Sequence, residues 1–198
     1  MSIDIFEIIM TKQDGRNLRS VNSQKLIVDA CIKLFKAGNL EPTAQQVADE
    51  SGVGIRTVFR QFDEMENLFK SVDAVLSKDY DFEVSYDPSS SFEVRLKSLI
   101  NHMNVAYEKH KLIMFMTVSK MWKYEFLREN YLMYQDRIKD KTEEVLPEVL
   151  GFDAESKHLF HASLSFAMWT RLRGQKLNNS QIKKAMLRQC LLIANDIR

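Results

Sequence analysis

The most pointed chemistry in the chain lies between positions 43 and 61. Arg56 and Arg60 stand four residues apart, so a helix through them presents two guanidinium forks on one face. That fork matches the O6 and N7 acceptors of guanine, and it matches a phosphate equally well. Ile55 and Thr57 beside them offer an apolar and a hydroxyl contact. Thr43 and the backbone amides at a helix start suit phosphate oxygens. Other chemistry is hard to find. No Ser-His-Asp or Cys-His order and no glycine-rich phosphate loop can be read. Glu143-Glu144 falls on a charged helix face, and His158 and His161 lack a third metal ligand at useful spacing. The expectation is a binding protein rather than an enzyme, with no metal and no cofactor.

Reading a surface through a few side chains requires short, rigid elements to hold them. Pro42-Thr43-Ala44-Gln45-Gln46 is a helix start in which Thr43 and Gln46 form a capping box. Ala44, Val47 and Ala48 give that helix an apolar inner face, and Ser51-Gly52 ends it. A second short helix runs from about Gly54 to Gln61, with Val53, Val58 and Phe62 on the apolar underside. Two short helices around a glycine turn are the sequence form of a helix-turn-helix, whose second helix enters the DNA major groove by its N-terminal end. A helix capped by Ser23 precedes the pair. It carries Leu26, Ala30, Cys31, Leu34 and Phe35 at helical spacing and stops at Gly38. A fourth helix opens with a second capping box, Asp63 with Glu66, and continues the stripe Met65, Leu68, Phe69, Val72, Val75, Leu76. Residues 1–22 read as a loosely held extension, and its basic stretch Lys12 to Arg19 could track a groove.

At these residues the chain resembles a family. Residues 23–69 look like the DNA-binding domain of tetracycline-repressor (TetR) type transcriptional regulators. The resemblance rests on Leu34-Phe35, on Thr43 and Val47-Ala48, and on Ser51-Gly52-Val53. Thr57, Phe59, Phe62 and Leu68 complete it. It implies DNA contacts from Thr43, Gln45, Gly54, Ile55, Arg56, Thr57, Phe59, Arg60 and Gln61. The chain departs from the pattern at four positions. The family usually has Tyr at Phe59, His at Gln61, Ser at Gly54 and a phosphate-binding Lys at Met65. The resemblance further implies a ligand pocket among the later helices and a two-fold dimer through the last two, here about residues 155–196.

Ser85-Tyr86-Asp87-Pro88-Ser89-Ser90-Ser91 is the clearest loop. Beyond it the pattern predicts helices near 91–109, 111–122, 124–146, 154–173 and 180–196. Methionines and aromatics crowd residues 103–134, which suits a cavity for a flat or greasy ligand. Met103, Tyr107, Phe115, Met116, Trp122, Phe126, Tyr131, Tyr134 and, further on, Phe166 are its candidate lining. For an anionic ligand His102, His110 or a nearby Lys would answer, with nothing to single one out. Residues 159–172 are apolar nearly all round, with small residues among large ones, so a second helix can approach closely. Phe160, Ser163, Ala167, Trp169, Met186 and Ile193 are the candidate dimer contacts.

Composition sets the frame. The chain has 198 residues, six Gly and three Pro, which points to long helices rather than β structure. Lys and Arg total 28 against 27 Asp and Glu, a net charge of +1, which excludes binding by gross positive charge. Cys31 and Cys190 sit among apolar residues and form no disulfide framework. No uncharged apolar run approaches membrane length, and a soluble, cytoplasmic protein without a signal peptide is expected. The expected architecture is all-α. It comprises an extension (1–22), a helix-turn-helix domain (23–69) and a regulatory and dimerisation domain (70–198). The expected function is a ligand-responsive transcriptional regulator, a repressor released from a palindromic operator by a small apolar or aromatic molecule. Two alternatives stand beside it: a DNA-binding regulator without a sensor, and an all-α binding protein that has lost DNA binding.

Overall fold

A computed structural model describes residues 5–79 and 83–196, with side chains for residues 17–78 and 83–196. Every regular element among the described residues is helical. The chain divides into two compact units, one ending at Asp79 and the other beginning at Tyr80. The boundary expected at residue 69 therefore falls later, because the whole of the fourth helix belongs to the first unit.

In the first unit, α1 spans Ile5–Lys36, α2 Ala44–Ser51, α3 Ile55–Phe62 and α4 Met65–Leu76, with a 3₁₀ turn at Ser77–Asp79. The helix expected to begin at Ser23 begins earlier. Ser23 caps nothing; its hydroxyl donates to the Arg19 carbonyl at 2.8 Å within an unbroken α1. No Gly or Pro stands between Arg16 and Ala37, so nothing stops the helix there. The extension expected to be loosely held is helical from Ile5 onward. The side chains of Lys12 and Arg16, in the basic arm, lie outside the described residues. Ile27, Cys31 and Phe35 of α1, Val47 of α2, Val58 of α3 and Leu68 of α4 are buried. The Phe35 and Phe69 rings meet at 5.9 Å between centroids.

In the second unit, α5 spans Phe92–Lys120, α6 Glu125–Val145, α7 Ala154–Ser163, α8 Phe166–Gly174 and α9 Asn179–Asp196, with a 3₁₀ segment at Pro147–Gly151. The break expected near His110 is absent. The α5 sequence contains no Gly or Pro, and 29 residues run on for about 43 Å. One expected helix over 154–173 is instead two. Ser165 turns its hydroxyl to the Met168 amide at 3.2 Å and caps α8, a local bond that competes with helix continuation.

The core of this unit joins α5 to α7, α8 and α9 through Leu96, Leu99, Ile100, Phe160, Trp169 and Met186. Arg95, buried at the start of α5, donates to the carbonyls of Ser90 at 3.1 Å and Val145 at 2.6 Å and pairs with Glu148. It fastens the 3₁₀ segment to the helix. Trp169 donates to the Asn104 side chain at 3.0 Å in the same interior.

Candidate functional site

The first candidate is the surface formed by α2 and α3. The capping box expected from the sequence is complete. The Thr43 hydroxyl accepts from the Gln46 amide at 3.2 Å, and the Gln46 side chain accepts from the Thr43 amide at 2.9 Å. Gly52 ends α2 with φ 71°, a left-handed conformation that a side chain would strain. Lys33 pairs with Glu50 and ties α2 to α1.

Helix α3 is sharply two-sided. Val58 and Phe62 are buried, while Arg56, Phe59 and Arg60 share the exposed face at i, i+3, i+4. Phe59 is 47% exposed, a large apolar ring left facing solvent beside two arginines. Ile55 and Thr57 are half-buried. Gly54 is the N-cap of α3, and no side chain caps the helix start.

Two of the expected contacts are engaged within the unit. Gln61 and Ser20 exchange a side-chain bond at 3.1 Å, so Gln61 is held against α1. Gln45 donates to Asp49 along α2 at 2.8 Å.

The second capping box is a correction. Asp63 has φ 51° and ψ −58°, and the Glu64 amide donates back to the Phe62 carbonyl across it. That is a γ-turn with positive φ, a rare and strained form. Glu64, not Asp63, is the N-cap of α4, and it makes no side-chain cap. The Asn67 side chain takes part instead, donating to the Phe62 carbonyl at 3.0 Å. Met65, where the resembled family has lysine, opens α4 half-buried.

The second candidate is a cavity of about 90 Å³ in the second unit, between α5 and α6. Phe166 of α8 and Val84, from the segment before α5, also line it. Phe166 is a hub of rings. It lies 5.5 Å from Tyr107, 5.4 Å from Phe115 and 5.6 Å from Trp169 by ring centroid. Tyr107 is buried, its hydroxyl donates to the Leu164 carbonyl at 2.7 Å, and burial drives its ionisation far above the ordinary tyrosine range. Across the cavity, Gln135 donates to the Tyr131 hydroxyl at 2.9 Å.

Met103, Tyr107, Tyr131, Tyr134 and Phe166 from the sequence reading reach this cavity. Phe115, Met116, Trp122 and Phe126 do not. Trp122 stands in the turn between α5 and α6 and is 81% exposed. Met116 is buried one position out of phase with Thr117, which does line the cavity. Phe126 turns to Tyr124, with ring centroids 6.2 Å apart.

Gln135, Ile138 and Lys141 escaped the sequence reading, and His102, His110 and Met114 were not singled out as lining. The signal was helical phase. Met103, Tyr107, His110, Met114 and Thr117 recur along one face of α5, as Tyr131, Tyr134, Ile138 and Lys141 do along α6. Lys141 is the one lysine or arginine among the lining residues, and no Asp or Glu lines the cavity.

The candidate dimer residues are corrected by burial. Phe160, Ser163, Trp169, Met186 and Ile193 lie in the interior of the unit itself, so they are not available to a second chain. Only Ala167 of that set is exposed. The large apolar side chains exposed on these helices are Leu159 and Leu192. The large side chains of this apolar segment, Phe160, Phe166 and Trp169, are buried by the unit's own core.

Both thiols are buried, and burial pushes Cys31 and Cys190 up to about 12, so neither is a reactive thiolate. His161 Nε2 donates to the Glu143 carboxylate at 3.2 Å, while His158 is exposed. Among the described residues no group of three or more His, Cys, Asp or Glu could hold a metal ion, and no helix is long and apolar enough to cross a membrane.

Compared with known proteins, the chain matches no family model, and no curated protein is significantly similar to it.

Proposed function

We propose that the chain is a DNA-binding transcriptional regulator of the TetR type, whose hold on DNA answers to a small molecule. The observation that carries this reading is the α2–α3 pair. A complete capping box, a left-handed glycine and a two-sided α3 expose Arg56, Phe59 and Arg60 and bury Val58 and Phe62. A short helix anchored this way suits the major groove, with its N-terminal residues against base edges. Arg56 and Arg60 are the base or phosphate readers, and Thr57 and Ile55 flank them.

One α3 reads too few base pairs to define a unique site, so the operator is read by a pair of chains as a palindrome. The cavity between α5 and α6 takes a small apolar or aromatic molecule. Its binding favours an arrangement of the pair that the operator does not fit, and the operator is released. The molecule must bind that arrangement more tightly, or it shifts nothing.

A second reading is a helical binding protein that no longer holds DNA. Phe59 and Met65 favour it, since neither offers a phosphate the bond that Tyr or Lys would. A gel-shift titration of the full chain with DNA from upstream of its own gene separates the two. Retardation of that DNA at concentrations that leave unrelated DNA free supports the regulator; no retardation of either removes it.

A further inference from the structure

The cavity between α5 and α6 has one lysine at its wall, beside His102 and His110. Lys141 lines it with a side chain only 15% exposed. Its stem is covered, while the ammonium at its end is met by exposed carboxylates. Its ammonium has two carboxylates, Glu144 one turn along α6 at 2.7 Å and Glu83 at 3.7 Å. Hydrogen bonding to Glu144, with Glu83 adding to it, raises Lys141 above its ordinary range, so it stays an ammonium. The two partners differ in kind. Glu144 shares the helix and holds a short bond. Glu83 is 89% exposed and at a distance where a surface ion pair is weak and exchangeable. An ammonium has three donors, so one carboxylate can leave and another take its place.

The segment that supplies Glu83 also covers the cavity. Val84 lines the wall and packs on the core of the unit, and two residues on the Tyr86 hydroxyl reaches the Glu144 carbonyl at 3.5 Å. Residues 83–86 therefore form a strap that includes the Glu83–Lys141 ion pair. The space beneath is about 90 Å³. An engineered apolar cavity of roughly 150 Å³ is the size that accepts benzene. A ring therefore requires a wall to give way, and Val84 on the strap is one such wall.

We propose that the cavity is a site for a small aromatic carboxylate, whose ring lies among Tyr107, Tyr131, Tyr134 and Phe166 and whose acid group displaces Glu83 from Lys141, releasing the strap. The inference rests on reading the cavity as the ligand site, and it adds the class of ligand and what the ligand must break. Amines are disfavoured, because the basic side chains Lys141, His102 and His110 line the wall and no Asp or Glu does. Neutral rings gain the walls but leave the Glu83 pair in place.

Isothermal titration of the full chain with benzoate, benzamide and benzylamine tests this. Benzoate is expected to bind at least tenfold more tightly than benzamide, and benzylamine more weakly than either. Glu83→Gln, a change at an exposed position, removes the competitor and should tighten benzoate several-fold while leaving benzamide unchanged. Lys141→Met should bring benzoate down to the level of benzamide. Equal binding of benzoate and benzamide in the unaltered chain overturns the proposal and leaves the cavity as a site for neutral rings. An unchanged benzoate affinity in Glu83→Gln overturns it too. If none of the three probes binds, the proposal falls together with the reading of the cavity as a ligand site.

Discussion

The Tyr107 hydroxyl donates to the Leu164 carbonyl at 2.7 Å, bridging α5 to the break between α7 and α8. A helix break frees backbone carbonyls that must find donors when they are buried. Leu164 is fully buried, and a side chain 57 positions earlier supplies the bond. Removing that donor strands the carbonyl. Tyr107→Phe keeps the ring and its contacts with Phe166 and Trp169, so it isolates the hydroxyl. The expected cost is about 1–3 kcal/mol of stability in the second unit, measured by urea unfolding. A variant as stable as the parent would mean that water or another group satisfies Leu164.

Two glycines around α3 call for opposite outcomes. Gly52 sits at φ 71°, where any side chain strains the backbone, and Gly52→Ala should destabilise the first unit by about 1 kcal/mol or more. Gly54 has an ordinary negative φ, and an added Cβ would meet nothing within 4 Å. Gly54→Ser supplies the missing N-cap hydroxyl and should stabilise by a few tenths of a kcal/mol. Chemical denaturation of the pair reads both signs. If both substitutions moved stability the same way, the assigned turn geometry would be wrong.

His161 predicts a pH dependence. Burial, with Lys139 and Lys157 nearby, outweighs the bond to Glu143 and lowers its folded pKa below the ordinary histidine value. Its Nδ1 is buried without a partner, so protonation there would strand a donor. The unfolded chain then takes up the proton more readily than the folded one. This contribution to stability is complete above the unfolded pKa, about 6.5, and is lost as pH falls through the lower folded value. Thermal unfolding between pH 7.5 and pH 5 should show the second unit weakening on acidification. His161→Gln should flatten that slope, and an unchanged slope would assign it to other groups.

For the proposed DNA surface, Arg56→Ala should weaken specific binding by about 1–3 kcal/mol if Arg56 reads a base. Residues 11–62 hold eight Lys and Arg against five Asp and Glu, and the chain as a whole is near neutral. Few phosphates are then neutralised, and affinity should fall only gently with salt. A steep salt slope, or full affinity in Arg56→Ala, would count against the assigned contacts.

Much of the fold could be read from local chemistry. Thr43 and Gln46 cap α2 because both partners lie within four residues, and Gly38 and Gly52 end helices with positive φ as glycine permits. Asp63 with Glu66 carries the same signature and fails, because the turn between two helices only two residues apart consumes Asp63. The α7–α8 break left no local mark apart from a serine, since its completion depends on Tyr107. At the cavity, residue type misled where helical phase did not. Trp122 and Phe126 are aromatic but out of register, whereas Lys141 is charged and in register. Near the C-terminus, Phe160, Trp169 and Met186 look in sequence like contacts for a second chain, but they fill the unit's own core.

The γ-turn at Asp63 has a mechanical consequence. Only Asp63 and Glu64 separate α3 from α4, and one of them is held in a rare conformation by a bond across it. Such a joint has no slack. Phe62 at the end of α3 is further gripped by Asn67 from the first turn of α4. A joint this short leaves α4 little room to turn without moving α3, and with it Arg56 and Arg60. Asp63→Gly, which relieves the positive φ at that position and frees the joint, should loosen the coupling of the two helices without touching Arg56 or Arg60.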